Sequence, residues 1–189
     1  LINNMNGIEF YKGLSAGIYN LLNYKNKLDE INVFPVPDGD TGTNMCFTLL
    51  PIVEDCNDKI TKNIGESLNI IADLALESAR GNSGTIIAQF IHGMRREIRG
   101  KDRISINNFS DALISGYDSA IESLMNPEEG TIITVMRDVA NKSKKLFEEN
   151  PDINFEIFLE KCYQESVESL EKTKNILKIL RKSDVVDAG

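Results

Sequence analysis

Apolar residues recur at helical spacing along almost the whole chain, and that periodicity restricts the fold more than any other feature of the sequence. Ile8, Tyr11, Leu14, Ile18, Leu21 and Leu22 share one helical face, as do Ile64, Leu68, Ile71 and Ala75. The run from Thr85 aligns Ile87, Phe90, Ile91, Met94 and Ile98; the next aligns Phe109, Ala112, Leu113, Gly116, Tyr117, Ala120 and Leu124. Val135, Met136, Val139 and Ala140 follow Thr131; Phe155, Phe158, Leu159, Cys162 and Tyr163 follow Asn154; a short last helix is expected around Lys174 to Arg181. The best strand candidate, Val33 to Val36, is cut by Pro35 and Pro37, which remove ladder donors and favour extended geometry. The pattern predicts an all-α chain whose amphipathic helices, joined by short Gly, Pro, Asn and Asp connections, pack antiparallel as a bundle or barrel. With no repeat, low-complexity tract or long linker, residues 1–189 suit a single domain.

Charge limits the partners of such a bundle. Lys and Arg number 21 against 29 Asp and Glu, a formal net charge of -8. Nucleic acid is disfavoured, because phosphate contacts call for a basic face. A free nucleotide would also be repelled, so a nucleotide site here needs metal ions or oriented backbone amides. Cys46, Cys56 and Cys162 form no CxxC pair, and His92 is the only histidine, which leaves no zinc quartet to assemble. Scattered thiols, no membrane-length apolar run and no signal-peptide pattern in LINNMNG place the expected location in the cytoplasm. A first residue other than methionine and a turn-like ending, VVDAG, point to a piece of a longer chain.

The stretch NVFPVPDGDTGTNM, Asn32 to Met45, crowds turn formers and acids where a core element could stand. Asp38 and Asp40 sit two apart among glycines that permit unusual backbone angles, so both carboxylates can face one point. Two such acids repel, and a divalent cation neutralises them most simply. An EF-hand starting at Asp38 would want an oxygen ligand at its fifth position and glutamate at its twelfth; Gly42 and Leu49 stand there, which removes calcium and leaves magnesium beside a nucleotide. Thr41, Thr43 and Asn44 lie where the following helix starts, a position whose free amides attract phosphate. Taken alone, the same residues also make an Asx turn with a helix cap.

Three further turns follow this recipe. RGNSG, Arg80 to Gly84, separates two periodic helices, with Ser83 suited to cap a helix from Thr85. NPEEGTIIT places Gly130 before a helix that Thr131 could cap, and VVDAG closes the chain. Each is an ordinary interhelical turn by itself. Antiparallel helices, however, carry alternate turns to one end of the bundle, where they could surround a ligand together. No GxxxxGK[ST] string is present, which excludes a Walker loop.

In order and approximate spacing, NVFPVPDGDTGTNM, ARGNSGTIIAQF, EGTIITV and VVDAG resemble the nucleotide-binding domain of bacterial fatty acid kinase, itself similar to the L subunit of dihydroxyacetone kinase. The resemblance covers nearly the whole chain. It implies a barrel of about eight antiparallel helices with ATP bound at one end through two Mg2+ ions. On this resemblance Asp38 and Asp40 match the metal-binding acids, and Asn32 is the nearest counterpart, one residue off in spacing, of a third acid in the dihydroxyacetone kinase pattern. Thr41, Gly42, Thr43 and Asn44 match the turn on the phosphates, and Asn82, Ser83 and Gly84 the second phosphate turn. Thr131 and Ile132 match a stretch lining the nucleotide, and Asp187 with Gly189 the closing turn. Where the dihydroxyacetone kinase subunit has a histidine after the metal acids this chain has Thr41, which points to the fatty acid kinase branch.

The resemblance further implies a separate fatty-acid-binding carrier protein and additional kinase domains, without which this chain would bind ATP and magnesium but phosphorylate poorly; a homodimer stays open. A carboxylate acceptor is already ionised near neutral pH, so acyl phosphate formation requires no general base. The alternatives are a dihydroxyacetone kinase L-type subunit, a nucleotide-binding module without turnover, and a bundle of capped turns without a ligand. His92 is expected on a helix surface or partly buried, the basic cluster Arg95, Arg96, Arg99, Lys101 and Arg103 at a solvated helix end, and Cys46 in packing. Arg80 is expected to pair with Asp38, Asp40 or a phosphate, with structural pairing preferred.

Overall fold

The computed structural model describes residues 3–189. Eight α-helices account for most of them: α1 Gly7–Ile31, α2 Thr41–Asp55, α3 Ile64–Glu77, α4 Gly81–Ile98, α5 Ile106–Glu122, α6 Ile132–Glu149, α7 Phe155–Ile176 and α8 Lys178–Ser183. The chain is thus all-α, as its periodicity requires. Two two-residue strands, β1 Met5–Asn6 and β2 Arg103–Ile104, pair antiparallel and tie the start of α1 to the entry of α5. Val33 to Val36 is irregular, with a cis peptide between Phe34 and Pro35.

Helix boundaries follow capping chemistry. Asn6, Asn63, Ser105, Thr131 and Asn154 each accept an amide of the first turn that follows, starting α1, α3, α5, α6 and α7. At Asn6 and Ser105 the third helical residue, Glu9 or Asn108, completes a capping box. The last two helices differ from expectation. The α7 periodicity persists to Ile176, and α8 occupies 178–183 rather than 174–181, because buried Thr173 and Leu180 anchor separate elements on either side of Leu177.

Helices α1 to α4 pack as one group, and α5, α6, α7 and α8 are added in sequence from α4. Contact is closest between α4 and α5, where a Cβ on Gly93 would lie 2.2 Å from the Ser115 carbonyl oxygen and the Ser115 hydroxyl donates to the Gly93 carbonyl at 2.9 Å. The main core contains Ile52, Ile64, Leu68, Ile71 and Ile98, with Phe109, Phe155 and Phe158 in mutual edge-to-face contact. A smaller cluster of Ile86, Ala120, Ile132, Ile133 and Met136 joins α4, α5 and α6 at one end of the bundle. Three of its members, Ile86, Ile132 and Ile133, form the floor of a cavity. Among the described residues no helix is long and apolar enough to cross a membrane.

Candidate functional site

That cavity, about 380 Å3, gathers the turns that the sequence scatters. Its wall contains Asn32, Asp38, Asp40, Thr41 and Asn44 from the first motif, Asn82 and Ser83 from the second, Thr131 and Ile132 from the third, and Asp187 and Gly189 from the C-terminus. Segments up to 157 residues apart in sequence therefore share one surface, Asn32 with Gly189, as alternate turns of antiparallel helices should. Phe34, Pro35, Val36, Gly81, Leu124, Asn126 and Glu128 complete the lining. A larger open depression beside α7 and α8 holds intermixed Glu168, Glu171, Lys172 and Arg181 and none of the motif residues.

Cavity charge is one-sided. Asp38, Asp40, Glu128 and Asp187 supply carboxylates, and the lining contains no lysine or arginine. Asp38 is exposed and Asp40 partly so, and neither has an ion-pair partner among the described residues. Asp40 stands at the N-cap of α2 without making a side-chain cap, which removes the capping role that the turn sequence allowed. Helix α4 is uncapped too: it starts at Gly81, not Thr85, with Arg80 in the N-cap position. Ser83 consequently lies inside the first turn, where its hydroxyl donates to the Thr41 carbonyl at 3.3 Å and joins the two turns. Among the seven helices longer than one or two turns, only α2 and α4, which start at the cavity, lack a side-chain cap from their own N-cap residue. At α2 the Thr43 amide is taken by Asp29 of α1, whereas the first-turn residues Gly81, Asn82 and Ser83 of α4 lie in the cavity wall.

Three proposed phosphate contacts are corrected. The Thr43 amide donates to the Asp29 carboxylate at 2.9 Å and the Thr43 hydroxyl to the same carboxylate at 2.7 Å, so neither is directed at a ligand. Gly42 is buried against the Lys25 carbonyl and Leu28, and Gly84 against Thr48, so both serve close helix approach rather than the cavity wall. Asn32 lines the cavity, but its side chain braces the loop: the amide nitrogen donates to the Phe34 and Val36 carbonyls, and the oxygen accepts from the Asp40 amide at 3.2 Å. A neutral amide committed to three backbone groups holds Asp40 in place and has little left for a cation.

Asp29 lies outside the sequence motifs, although an acid in the last turn of α1 opposes the helix dipole and is out of place there. Burial alone would raise its pKa, but hydrogen bonds from Thr43 and the neighbouring Lys25 hold it below the ordinary value. Asp187 moves the other way. Burial pushes its pKa up to about 6, against the pull of the Gly189 and Ile132 amides that donate to its carboxylate at 3.1 and 2.9 Å. The tail that carries it is pinned by a further bond, from the Asp187 amide to the Thr173 hydroxyl.

His92 lies within α4 beside Arg95, away from the cavity, with its pKa lowered by burial and by Arg95 and Arg96. Cys46, Cys56 and Cys162 are free and buried, and burial raises each thiol. In the basic cluster, Arg95 pairs with Asp73 and Arg103 with Glu9.

No three His, Cys, Asp or Glu side chains form a ready-made metal cage among the described residues. The donor set is one exposed and one half-buried carboxylate on a single loop, beside the uncapped start of α4. That fits a hard cation completing its coordination with oxygens from a phosphate ligand, and does not fit an all-protein metal centre. In comparison with known proteins, a family model described as the DAK2 domain matches residues 35–189.

The chain belongs to the DAK2 domain family. Its fold is that of the all-α, dihydroxyacetone kinase L-subunit-like module, and the family is kinase-related. Relatives of this DAK2 domain include protein YloV of Bacillus subtilis, 37% identical over 188 residues. Uncharacterized proteins of Staphylococcus epidermidis, 35% identical over 190 residues, and of Staphylococcus aureus, 36% identical over 189, are similar in the same way. Each alignment covers 100% of this chain and 34% of the relative, so the DAK2 domain spans about a third of the length of the curated relatives it matches.

Proposed function

We propose that this chain is the ATP- and magnesium-binding domain of a fatty acid kinase, which transfers the terminal phosphoryl group of ATP to a fatty acid carboxylate presented by a carrier protein. The observation that carries the reading is the joint one: a cavity lined by carboxylates and no cations, at which α4 starts uncapped and α2 starts without a cap from its own N-cap residue. A cation alone would leave the helix starts unused, and an anion alone would meet Asp38 and Asp40; a polyphosphate with magnesium satisfies both. Asp38 and Asp40 would hold the metal, with Asn32 fixing the backbone of Asp40. Thr41 and Asn44 on one side, and Gly81, Asn82 and Ser83 on the other, would bind the phosphates, while Ile86, Leu124, Ile132 and Ile133 offer an apolar surface to the base.

Magnesium, when bound with the nucleotide, supplies charge neutralisation at the phosphate oxygens. The residues of the chain supply position. Asp29 and Thr43 lock the loop against α1, and Ser83 couples the two helix starts. Since a carboxylate acceptor is ionised near neutral pH, a cavity without an imidazole suffices. Thr41, in place of a histidine, supports the fatty acid branch over a triose kinase.

Calorimetric titration of ATP with and without Mg2+, on this chain and on an Asp38→Ala, Asp40→Ala double variant, tests the reading. Magnesium-dependent binding lost in the variant is expected; binding that keeps its magnesium dependence there removes the metal role. With ATP binding established, phosphate transfer to carrier-bound fatty acid against dihydroxyacetone in the complete kinase separates the two branches.

A further inference from the structure

Arg80 occupies the wrong end of a helix. It is the N-cap residue of α4, where the dipole favours acids and opposes a cation. Its backbone is held firmly: the amide donates to the Thr48 hydroxyl at 3.0 Å, the carbonyl accepts from the Gly84 amide at 3.1 Å, and Thr48 is itself bonded to the Asn44 carbonyl. Arg80 is exposed and, like Arg96 and Arg99 at the far end of the same helix, makes no ion pair or side-chain hydrogen bond among the described residues. The expected structural pairing with Asp38 or Asp40 is absent.

Position separates Arg80 from the other two unpaired arginines. Arg80 directly precedes Gly81 and Asn82 in the cavity wall, and that wall contains no cationic side chain. An arginine stem is long enough to carry the guanidinium over such a rim, and its planar fork matches phosphate oxygens. We propose that Arg80 contacts the terminal phosphoryl group of the nucleotide at the cavity mouth. The inference rests on the nucleotide reading above and adds the residue that distinguishes a triphosphate from a diphosphate. In the transfer step an acceptor carboxylate oxygen bonds to phosphorus while the bond to the bridging oxygen breaks and its electron pair leaves with the diphosphate. No proton moves, and the guanidinium balances charge on the group in transit.

Calorimetry on this chain with ATP and with ADP, each with Mg2+, tests the assignment. Arg80→Ala is expected to weaken ATP binding roughly 10- to 100-fold, the effect of one charge-assisted contact, while ADP binding stays within about twofold. Arg80→Lys should recover part of the loss, keeping the charge without the fork. Arg96→Ala, at the opposite end of α4, should alter neither ligand. Equal weakening of ATP and ADP, or an equal effect from Arg96→Ala, would reduce Arg80 to bulk charge and overturn the proposal. So would a fall of more than about 4 °C in the melting temperature of Arg80→Ala, which would mark the side chain as structural. Failure of the unaltered chain to bind either nucleotide would instead sink the nucleotide reading, and the Arg80 role with it.

Discussion

The Asp29 carboxylate receives both the amide and the hydroxyl of Thr43, so one side chain at the end of α1 fixes the first turn of α2. Everything that Asp40 can do depends on this clamp, because Asp40 precedes that turn and Asn32, just past the end of α1, holds its amide.

Asp29→Ala should cost about 2 kcal/mol, leaving the Thr43 donors without their acceptor. The pH dependence follows from the lowered pKa of Asp29. In the unfolded chain it titrates near 4; in the fold, lower. Its stabilisation is therefore complete above about pH 4 and is lost as pH falls through the folded value. Urea melts at pH 7 and pH 3 should show the variant's deficit at the higher pH and a smaller one at the lower.

Asp187 should behave in the opposite sense. With a folded value of about 6 against an unfolded value near 4, the native state holds more protons in between. Stability from this group is present below pH 4 and falls as pH rises to about 6. Asp187→Asn keeps an oxygen for the Ile132 and Gly189 amides without the buried charge. The variant should be more stable at pH 8 by up to about 3 kcal/mol and unchanged near pH 4. Denaturant midpoints at the two pH values measure this.

Gly81 adopts a φ of 59°, and a Cβ there would lie 2.3 Å from the Asn44 side-chain nitrogen. Gly81→Ala should destabilise by about 1 to 3 kcal/mol and separate the two helix starts at the cavity. Thermal melting would register the first effect. Weaker nucleotide binding than in the unaltered chain, measured below both melting temperatures, would register the second.

Asp38→Asn with Asp40→Asn should leave the ligand-free melting temperature nearly unchanged, because among the described residues neither carboxylate has a protein partner and neither caps α2. In the unaltered chain, ATP with Mg2+ at 100 times its dissociation constant should add about 2.7 kcal/mol of stability. A thermal shift assay should show that gain vanish in the double variant.

Much of this domain can be read along the chain, and the reasons are local. Helical spacing of apolar residues reports the core face directly, and Asn63, Thr131 and Asn154 mark helix starts because a cap interacts only with its own first turn. Ser83 and Asp40 mislead for the same reason. Each is a residue type that caps helices, yet Ser83 lies inside the first turn of α4 and Asp40 stands at the N-cap of α2 without capping it.

The sequence by itself determined the all-α class, the glycine-rich turns and the segments that would form the site, since period, capping and turn chemistry act over a few residues. Tertiary structure alone decided which groups within those segments face the cavity. Thr43, fourteen residues from Asp29, is turned to that acid; Asn32 is turned onto its own loop; Asp187 is buried by a helix fifty-five residues away. Burial and hydrogen bonding between distant elements set those directions, and no spacing along the chain encodes them.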